Sequence, residues 1–150
     1  MTRSITRLAD FLPYRLSITS NAVSDLIARE YRTRFGLKIP EWRVMAVLGD
    51  VGEATQRELV AATRMDKVAV NRATKTLGER ALIQRAPNMA DGRSHHLALT
   101  AAGQALYAEI MPLALQMEAQ IMTVLDDDER AQLSALMNKL LGRADALTDD

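Results

Sequence analysis

Residues 66 to 80 place polar side chains on one side of a predicted helix and apolar side chains on the other. At 100° per residue, the inward face consists of Val70, Ala73, Thr74 and Leu77. The opposite face combines cations, an amide and small apolar groups, namely Lys67, Val68, Ala69, Asn71, Arg72 and Lys75. Arginine and lysine bind guanine edges, asparagine binds adenine, and a methyl-bearing side chain contacts thymine. The outward face therefore has the chemistry of base recognition, and an ordinary solvated helix is the alternative interpretation.

Capping residues and turn signals predict a compact unit of two helices and a hairpin around this face. Thr55 and Glu58 have capping-box spacing, in which the hydroxyl and the carboxylate each accept from a backbone amide. This pair predicts a short first helix, and Asp66 can cap a second helix that runs to about Arg80. We expect a two-stranded wing with strands at residues 83–86 and 95–99. Its tip should lie at residues 88–92. The unit at 55–100 has a shape that suits duplex DNA.

The end of the second helix departs from the usual pattern. Gly78 lies in the helix interior, where glycine costs on the order of 1 kcal/mol relative to alanine. Ala81 stands where a glycine would best end the helix in a left-handed turn. We therefore expect either that the helix ends near Leu77 or that Ala81 avoids this turn.

The wing carries four polar side chains of interest. Arg93 is expected to enter a minor groove or bridge phosphates. Asp91 is expected to orient Arg93 or simply to form the turn with the following glycine. His95 and His96 are adjacent on a predicted strand, so their side chains point to opposite faces and cannot readily share a metal. We expect no metal site, and a phosphate contact or a solvated position for both.

Long helices flank the predicted unit. Apolar residues recur at helical spacing over residues 12–35, from Pro40 to an end bracketed by Gly49 and Gly52, over roughly 101–125 and over about 127–144. Gly36 and Thr100 are placed to cap the first and third of these helices, and Pro112 is expected to bend the third. Asp126 and Glu129 repeat the capping-box spacing before the last helix.

The flanking helices carry more apolar surface than the small unit can cover. A second copy of the chain would cover it, so we predict a homodimer in which residues 5–30 and 105–145 supply most of the interface. The alternative is that these helices pack on each other within a monomer.

Composition limits the class of protein. A chain of 150 residues with 48% hydrophobic residues is long enough to bury one core. The absence of cysteine excludes disulfides, cysteine metal sites and a thiol redox switch. No segment is apolar enough for a signal peptide or a membrane helix, so we expect a soluble cytoplasmic protein without a membrane partner.

The net charge of zero conceals an uneven distribution. Residues 57–96 contain eight basic and four acidic side chains, whereas residues 101–150 contain three basic and nine acidic ones. The excess of four positive charges therefore lies on the predicted recognition unit, where attraction to phosphate requires it. A short surface segment can also acquire such a charge by chance.

Several stretches together resemble the MarR family of winged helix-turn-helix regulators. They are Thr55-Gln56-Arg57-Glu58-Leu59, residues 65–72, Arg80-Ala81-Leu82-Ile83, Asp91-Gly92-Arg93 and residues 97–103. The resemblance implies a mainly α fold with a small β-wing: one MarR-like domain over residues 1–150. Its dimerisation helices would lie at about 8–35 and 101–147, and its winged helix-turn-helix lobe at about 40–100. The departure is Ala81, where the family usually has glycine.

The resemblance also implies partners. The homodimer would bind a palindromic operator in double-stranded DNA, with Lys67, Val68, Ala69, Asn71, Arg72 and Lys75 in the major groove. Asp91 and Arg93 would belong to a minor-groove wing. Members usually sense small aromatic or anionic effectors in a cleft between the dimer helices and the DNA-binding lobe. The candidate effector residues here are Tyr14, Arg15, Tyr31, Trp42 and Arg43. The alternative places Trp42 in the core and Arg43 in a surface ion pair.

An enzyme and a protein-interaction module are the two alternative classes of protein. The sequence has no nucleophile elbow, phosphate-binding glycine loop or zinc-protease motif, so no catalytic residue, enzyme activity or cofactor is predicted. The acidic run at 126–129 lacks the glycine and spacing of a calcium loop and fits a helix start better. The remaining alternative to a ligand-responsive repressor is a protein-interaction module of the same fold that does not bind DNA.

Overall fold

The structure is a computed structural model that describes residues 7–86 and 95–149. One 3-10 turn, six helices and three short strands are found there. In chain order they are a 3-10 turn at Leu8–Asp10, α1 Leu12–Phe35, α2 Ile39–Val51, β1 Glu53–Ala54, α3 Gln56–Thr63, α4 Lys67–Glu79, β2 Ile83–Arg85, β3 Leu97–Leu99, α5 Ala101–Met122 and α6 Asp127–Thr148. The mainly helical prediction with a small β-wing is confirmed.

Caps define the helix ends near the predicted positions. Gly36 adopts the left-handed conformation (φ 65°) after α1, and its amide donates to the Arg32 carbonyl. Thr100 caps α5, because its hydroxyl accepts from the Gly103 amide at 3.0 Å. Pro40 lies in the first turn of α2, where the missing amide hydrogen costs no helical hydrogen bond.

Side-chain caps also set the two helices of the helix-turn-helix. Asp66 accepts from the Ala69 amide at 2.7 Å, and Thr55 accepts from the Glu58 amide at 3.1 Å. The predicted capping box at Thr55 is only half formed. The Glu58 carboxylate accepts from the Thr55 hydroxyl at 3.2 Å and does not reach back to the Thr55 amide.

The wing is a three-stranded antiparallel sheet and not the two-stranded hairpin that we predicted. Its order is β1-β3-β2, with Ala54 opposite Leu97 and Ile83 opposite Leu99. β1 has only two residues, so no alternating pattern could reveal it. Its pairing attaches the wing to the segment between α2 and α3.

The end of α4 contradicts both sequence expectations. The helix continues past Leu77 to Glu79, and Ala81 does adopt the left-handed conformation, with φ 56°. The Leu82 amide donates to the Leu77 carbonyl at 2.9 Å, and the Ala81 amide to the Gly78 carbonyl at 3.0 Å. This is a Schellman motif with alanine in the place that glycine usually takes. The surrounding hydrogen bonds hold a conformation that alanine alone disfavours.

The chain divides into two compact units, the first of which comprises residues 1–115. Its core contains buried side chains from every helix and strand of the helix-turn-helix, for example Val44, Leu48, Leu59, Ile83 and Leu99. α2 packs against both α3 and α4. The predicted inward face of α4 is confirmed, because Val70, Ala73, Thr74 and Leu77 are all buried.

The second unit comprises residues 116–150 and contains α6. Asp126 and Glu129 form the complete predicted capping box at its start. The acidic run is therefore a helix N-terminus, where negative charge is stabilising. None of the described residues of α6 is buried, although the helix carries an apolar stripe of Leu133, Leu136, Met137, Leu140 and Leu141.

Candidate nucleic-acid interface

The outward face of α4 is exposed as a continuous surface. Lys67, Asn71, Arg72 and Lys75 are exposed, Ala69 is half-buried, and Val68 is 64% exposed. Val68 thus adds an apolar group to a face that is otherwise mostly polar. At 1.5 Å per residue, the 13 residues of α4 span about 20 Å. That length and the diameter of a helix fit a major groove.

A chain of hydrogen bonds joins α3 to the middle of this face. The Gln56 side-chain amide donates to the Thr74 hydroxyl at 2.7 Å, and that hydroxyl donates to the Asn71 carbonyl at 3.1 Å. The Thr74 hydroxyl is thus satisfied although its residue is buried. Sequence reasoning missed Gln56, because only the three-dimensional pairing of the helices brings it to Thr74.

A recess of about 340 Å³ lies between α4 and the wing. Polar side chains from three elements line it, among them Gln56, Asn71, Lys75 and Gln84. The Gln56 Oε1 atom is buried and has no hydrogen-bond partner within residues 7–86 and 95–149. The recess therefore joins the outward face of α4 to β2, and it adds Gln84 to the polar groups of this surface.

The structure describes only some of the predicted wing residues. Asp91 and Arg93 lie outside the described residues. The histidines precede β3 and are not part of it, which corrects the prediction that they lie on a strand. His95 is exposed, whereas the His96 Nε2 atom lies 3.9 Å from Glu58 Oε1 and joins the wing to α3.

Comparison with known proteins agrees with this geometry. A sequence model of the MarR family matches residues 35–94, from the end of α1 to the wing. A MarR/EmrR family transcriptional regulator from Acinetobacter sp. ADP1 superposes with a TM-score of 0.86 at 26% identity, covering 93% of this chain and 99% of that one. The chain is therefore similar to MarR-family transcriptional regulators in both sequence and fold.

Two other regulators are similar over a shorter segment or in fold alone. The HTH-type transcriptional repressor NicR of Pseudomonas putida is 31% identical over 97 residues, which are 65% of this chain and 61% of that repressor. BpsR of Bordetella bronchiseptica, whose DNA binding is regulated by 6-hydroxynicotinic acid, has a TM-score of 0.79 at 23% identity. The superposition covers 91% of this chain and 97% of the BpsR chain. At this identity the similarity shows a shared fold alone. None of the described helices is long and apolar enough to cross a membrane.

The five candidate effector residues fall into two groups. Tyr31 and Trp42 are buried, and their ring centroids lie 5.6 Å apart. Trp42 also stacks on Tyr107 of α5 at 5.8 Å, so the indole belongs to the core. The second group, Tyr14, Arg15 and Arg43, is exposed. Their role in effector binding stays a prediction.

Tyr31 lies at the boundary between these groups. Burial raises the pKa of its phenol above the ordinary value, and the nearby guanidinium groups of Arg43 and Arg32 lower it by less. The phenol is therefore neutral at physiological pH. The nearby Asp25 carboxylate raises this pKa as well.

Proposed function

We propose that this chain is a cytoplasmic transcriptional regulator that binds a palindromic operator as a homodimer. The observation that carries the proposal is α4, with one packed face and one exposed face of three cations, an amide and a valine. A thymine methyl group would give the exposed valine a partner, and the cations beside it would face guanine edges or phosphates.

Each outward residue suits a contact in the major groove. Asn71 would bind an adenine edge, and Arg72 or Lys75 a guanine edge or a phosphate. Val68 and Ala69 would contact thymine methyl groups, while Lys67 in the first turn would approach a phosphate. Asp91 and Arg93 would serve the minor groove at the wing tip.

A second copy of the chain accounts for the apolar surface. The stripe on α6 is exposed along the helix, and α1 also exposes Leu12, Leu16 and Ile18. Unpartnered surfaces of this kind mark interfaces. A twofold dimer would present two copies of α4 to successive major grooves, which requires a palindromic site with half-sites about 34–36 Å apart.

The regulator would be a repressor that a small aromatic anion releases. The exposed guanidinium of Arg43 supports this part of the proposal, because a guanidinium binds a carboxylate in a bidentate manner. Trp42 is the one tryptophan of the chain and lies in ring contact with Tyr31. Its fluorescence can report the binding of aromatic carboxylates, and Arg43→Ala should weaken that binding about tenfold.

Operator binding tests the central part of the proposal. Duplexes from the region upstream of the gene are titrated with the protein at increasing salt. The apparent Kd should rise by about three orders of magnitude between about 50 and about 200 mM salt, because phosphate neutralisation releases counterions. Absent or salt-independent binding would favour the protein-interaction module instead.

Two matched variants distinguish base-specific contacts from non-specific electrostatic attraction to DNA. Arg72→Ala should weaken operator binding by about 1–3 kcal/mol and relax the sequence preference at one base pair. Arg34→Ala removes an equal charge from α1, where Arg34 pairs with Glu30 at 3.7 Å, and should leave sequence preference unchanged. Equal losses in both variants would contradict a reading role for α4.

A further inference from the structure

The side chain of Arg80 joins the end of α4 to the end of α1. Its Nη2 atom donates to the Phe35 carbonyl at 2.9 Å, and its Nη1 atom donates to the Gly36 carbonyl at 3.2 Å. These are contacts between residues 45 and 44 positions apart in the chain. One guanidinium therefore connects the helix with the exposed cationic face to a helix with an exposed apolar face.

The chemistry of the two helix ends makes this contact specific. The last carbonyls of a helix lack amide partners of their own and carry partial negative charge. The left-handed turn at Gly36 ends α1 and leaves the Phe35 and Gly36 carbonyls to the planar fork of Arg80. Lysine in this position would offer a point charge and could not bind both carbonyls in the same plane.

The residues directly after Arg80 are held from α5. The Thr100 hydroxyl donates to the Ala81 carbonyl at 2.7 Å, and the Thr100 amide donates to the Leu82 carbonyl at 3.0 Å. A Cβ atom on Gly103 would overlap the Leu82 carbonyl oxygen, so α5 approaches this turn as closely as a backbone can. The end of α4 thus meets α1 on one side and the start of α5 on the other.

We propose that Arg80 is a positioning residue that fixes α4 relative to α1, and thereby sets the spacing between the two recognition helices of the dimer. The proposal rests on the proposed function, because α1 has to contribute to the dimer interface. Arg80 need not touch DNA. Its removal should therefore affect recognition of two half-sites together and leave recognition of one half-site unchanged.

Distance measurements test the link without DNA. The chain has no cysteine, so Arg29→Cys on α1 and Lys75→Cys on α4 can carry nitroxide labels at exposed positions. Labelled chains are mixed with an excess of unlabelled protein, so that one labelled chain is observed per dimer. Arg80→Ala should broaden the α1–α4 distance distribution, and an unchanged distribution would overturn the proposal.

DNA binding tests the consequence. The probes are the full palindrome, a single half-site, and palindromes with one base pair added or removed between the half-sites. Arg80→Ala should weaken binding to the full palindrome about tenfold and reduce discrimination between spacings, because simultaneous engagement depends on geometry. The affinity and the spacing preference of Arg80→Lys should lie between those of Arg80→Ala and the unaltered protein. Glu79→Gln changes a neighbouring exposed charge and should discriminate between spacings as the unaltered protein does.

The outcomes separate this proposal from the proposed function. A loss of equal factor on the half-site and the full palindrome, or an unchanged spacing preference, would overturn the positioning role. If no duplex binds the unaltered protein but Arg80→Ala broadens the distance distribution, the link between helices stands and the proposed function fails. Thermal unfolding of Arg80→Lys checks that the comparison concerns folded protein.

Discussion

Ala81 holds a backbone conformation that is unfavourable for any residue with a Cβ atom. Its φ of 56° costs alanine roughly 1–2 kcal/mol relative to the right-handed region, whereas glycine adopts it freely. Part of this difference is offset because glycine gives the unfolded chain more freedom. We therefore expect Ala81→Gly to raise the free energy of unfolding by about 0.5–1 kcal/mol, measured by urea denaturation.

Gly36 provides the matched control for this prediction. Its φ of 65° is also left-handed, and a Cβ atom there would come no closer than 4.0 Å to the Arg80 side chain. Gly36→Ala should therefore lower the free energy of unfolding by about 1 kcal/mol through backbone strain alone. A loss of stability in Ala81→Gly would show that the Schellman turn is not strained.

Tyr31 predicts a dependence of stability on alkaline pH. Burial raises the pKa of its phenol in the folded chain, so the folded state binds this proton more tightly than the unfolded state does. The contribution is fully present below the unfolded pKa of about 10 and is lost as the pH rises through the folded value. Tyr31→Phe should lose less stability between about pH 9 and 11 than the unaltered protein does. An identical alkaline decline in both proteins would contradict the assignment.

The contact between α5 and the end of α4 predicts opposite effects for two glycines. Gly103→Ala would place a Cβ atom against the Leu82 carbonyl, and we expect a loss of about 1–3 kcal/mol in the free energy of unfolding. Gly78 lies within α4, and a Cβ atom there would have no neighbour within 4 Å. Gly78→Ala should therefore stabilise the helix by up to about 1 kcal/mol. If Gly103→Ala and Gly78→Ala changed the thermal stability equally, the start of α5 would accommodate the added Cβ atom without a loss of stability.

Elements with local signals could be predicted from the sequence. α1 ends where Gly36 allows a left-handed turn, and α4 begins where Asp66 supplies a side-chain acceptor. The two faces of α4 also follow from spacing alone, because side chains at i, i+3, i+4 and i+7 share a face.

Elements that depend on distant contacts could not be predicted. β1 forms only because Glu53 and Ala54 pair with β3. The left-handed Ala81 is held by Thr100, and Gln56 meets Thr74 only after α3 and α4 have packed. Nothing in the local sequence of Arg80 indicates the carbonyl groups of α1.

At the scale of the whole molecule, the apolar stripe on α6 predicts the oligomeric state. Leu136 and Leu140 are 56% and 46% exposed, which is favourable only if a partner covers them. A double substitution of Leu136→Glu and Leu140→Glu should convert the proposed homodimer to a monomer, as measured by sedimentation equilibrium. Ala135→Glu introduces a charge on the opposite side of α6 and should leave the dimer intact. A dimer that persists in the double variant would place the interface elsewhere.

The strand order of the wing has a consequence for the synthesis of the protein. β3 is the last of the three described strands in chain order and the middle strand of the sheet. β1 and β2 therefore have no pairing partner until β3 has been synthesised. A chain that emerges from the ribosome in sequence order releases α2, α3 and α4 well before Leu97–Leu99 appears. Thr100 follows immediately and closes the turn after α4. The end of α4 therefore gains its contacts with Thr100, and the wing its middle strand, only after residues 97–100 have been synthesised.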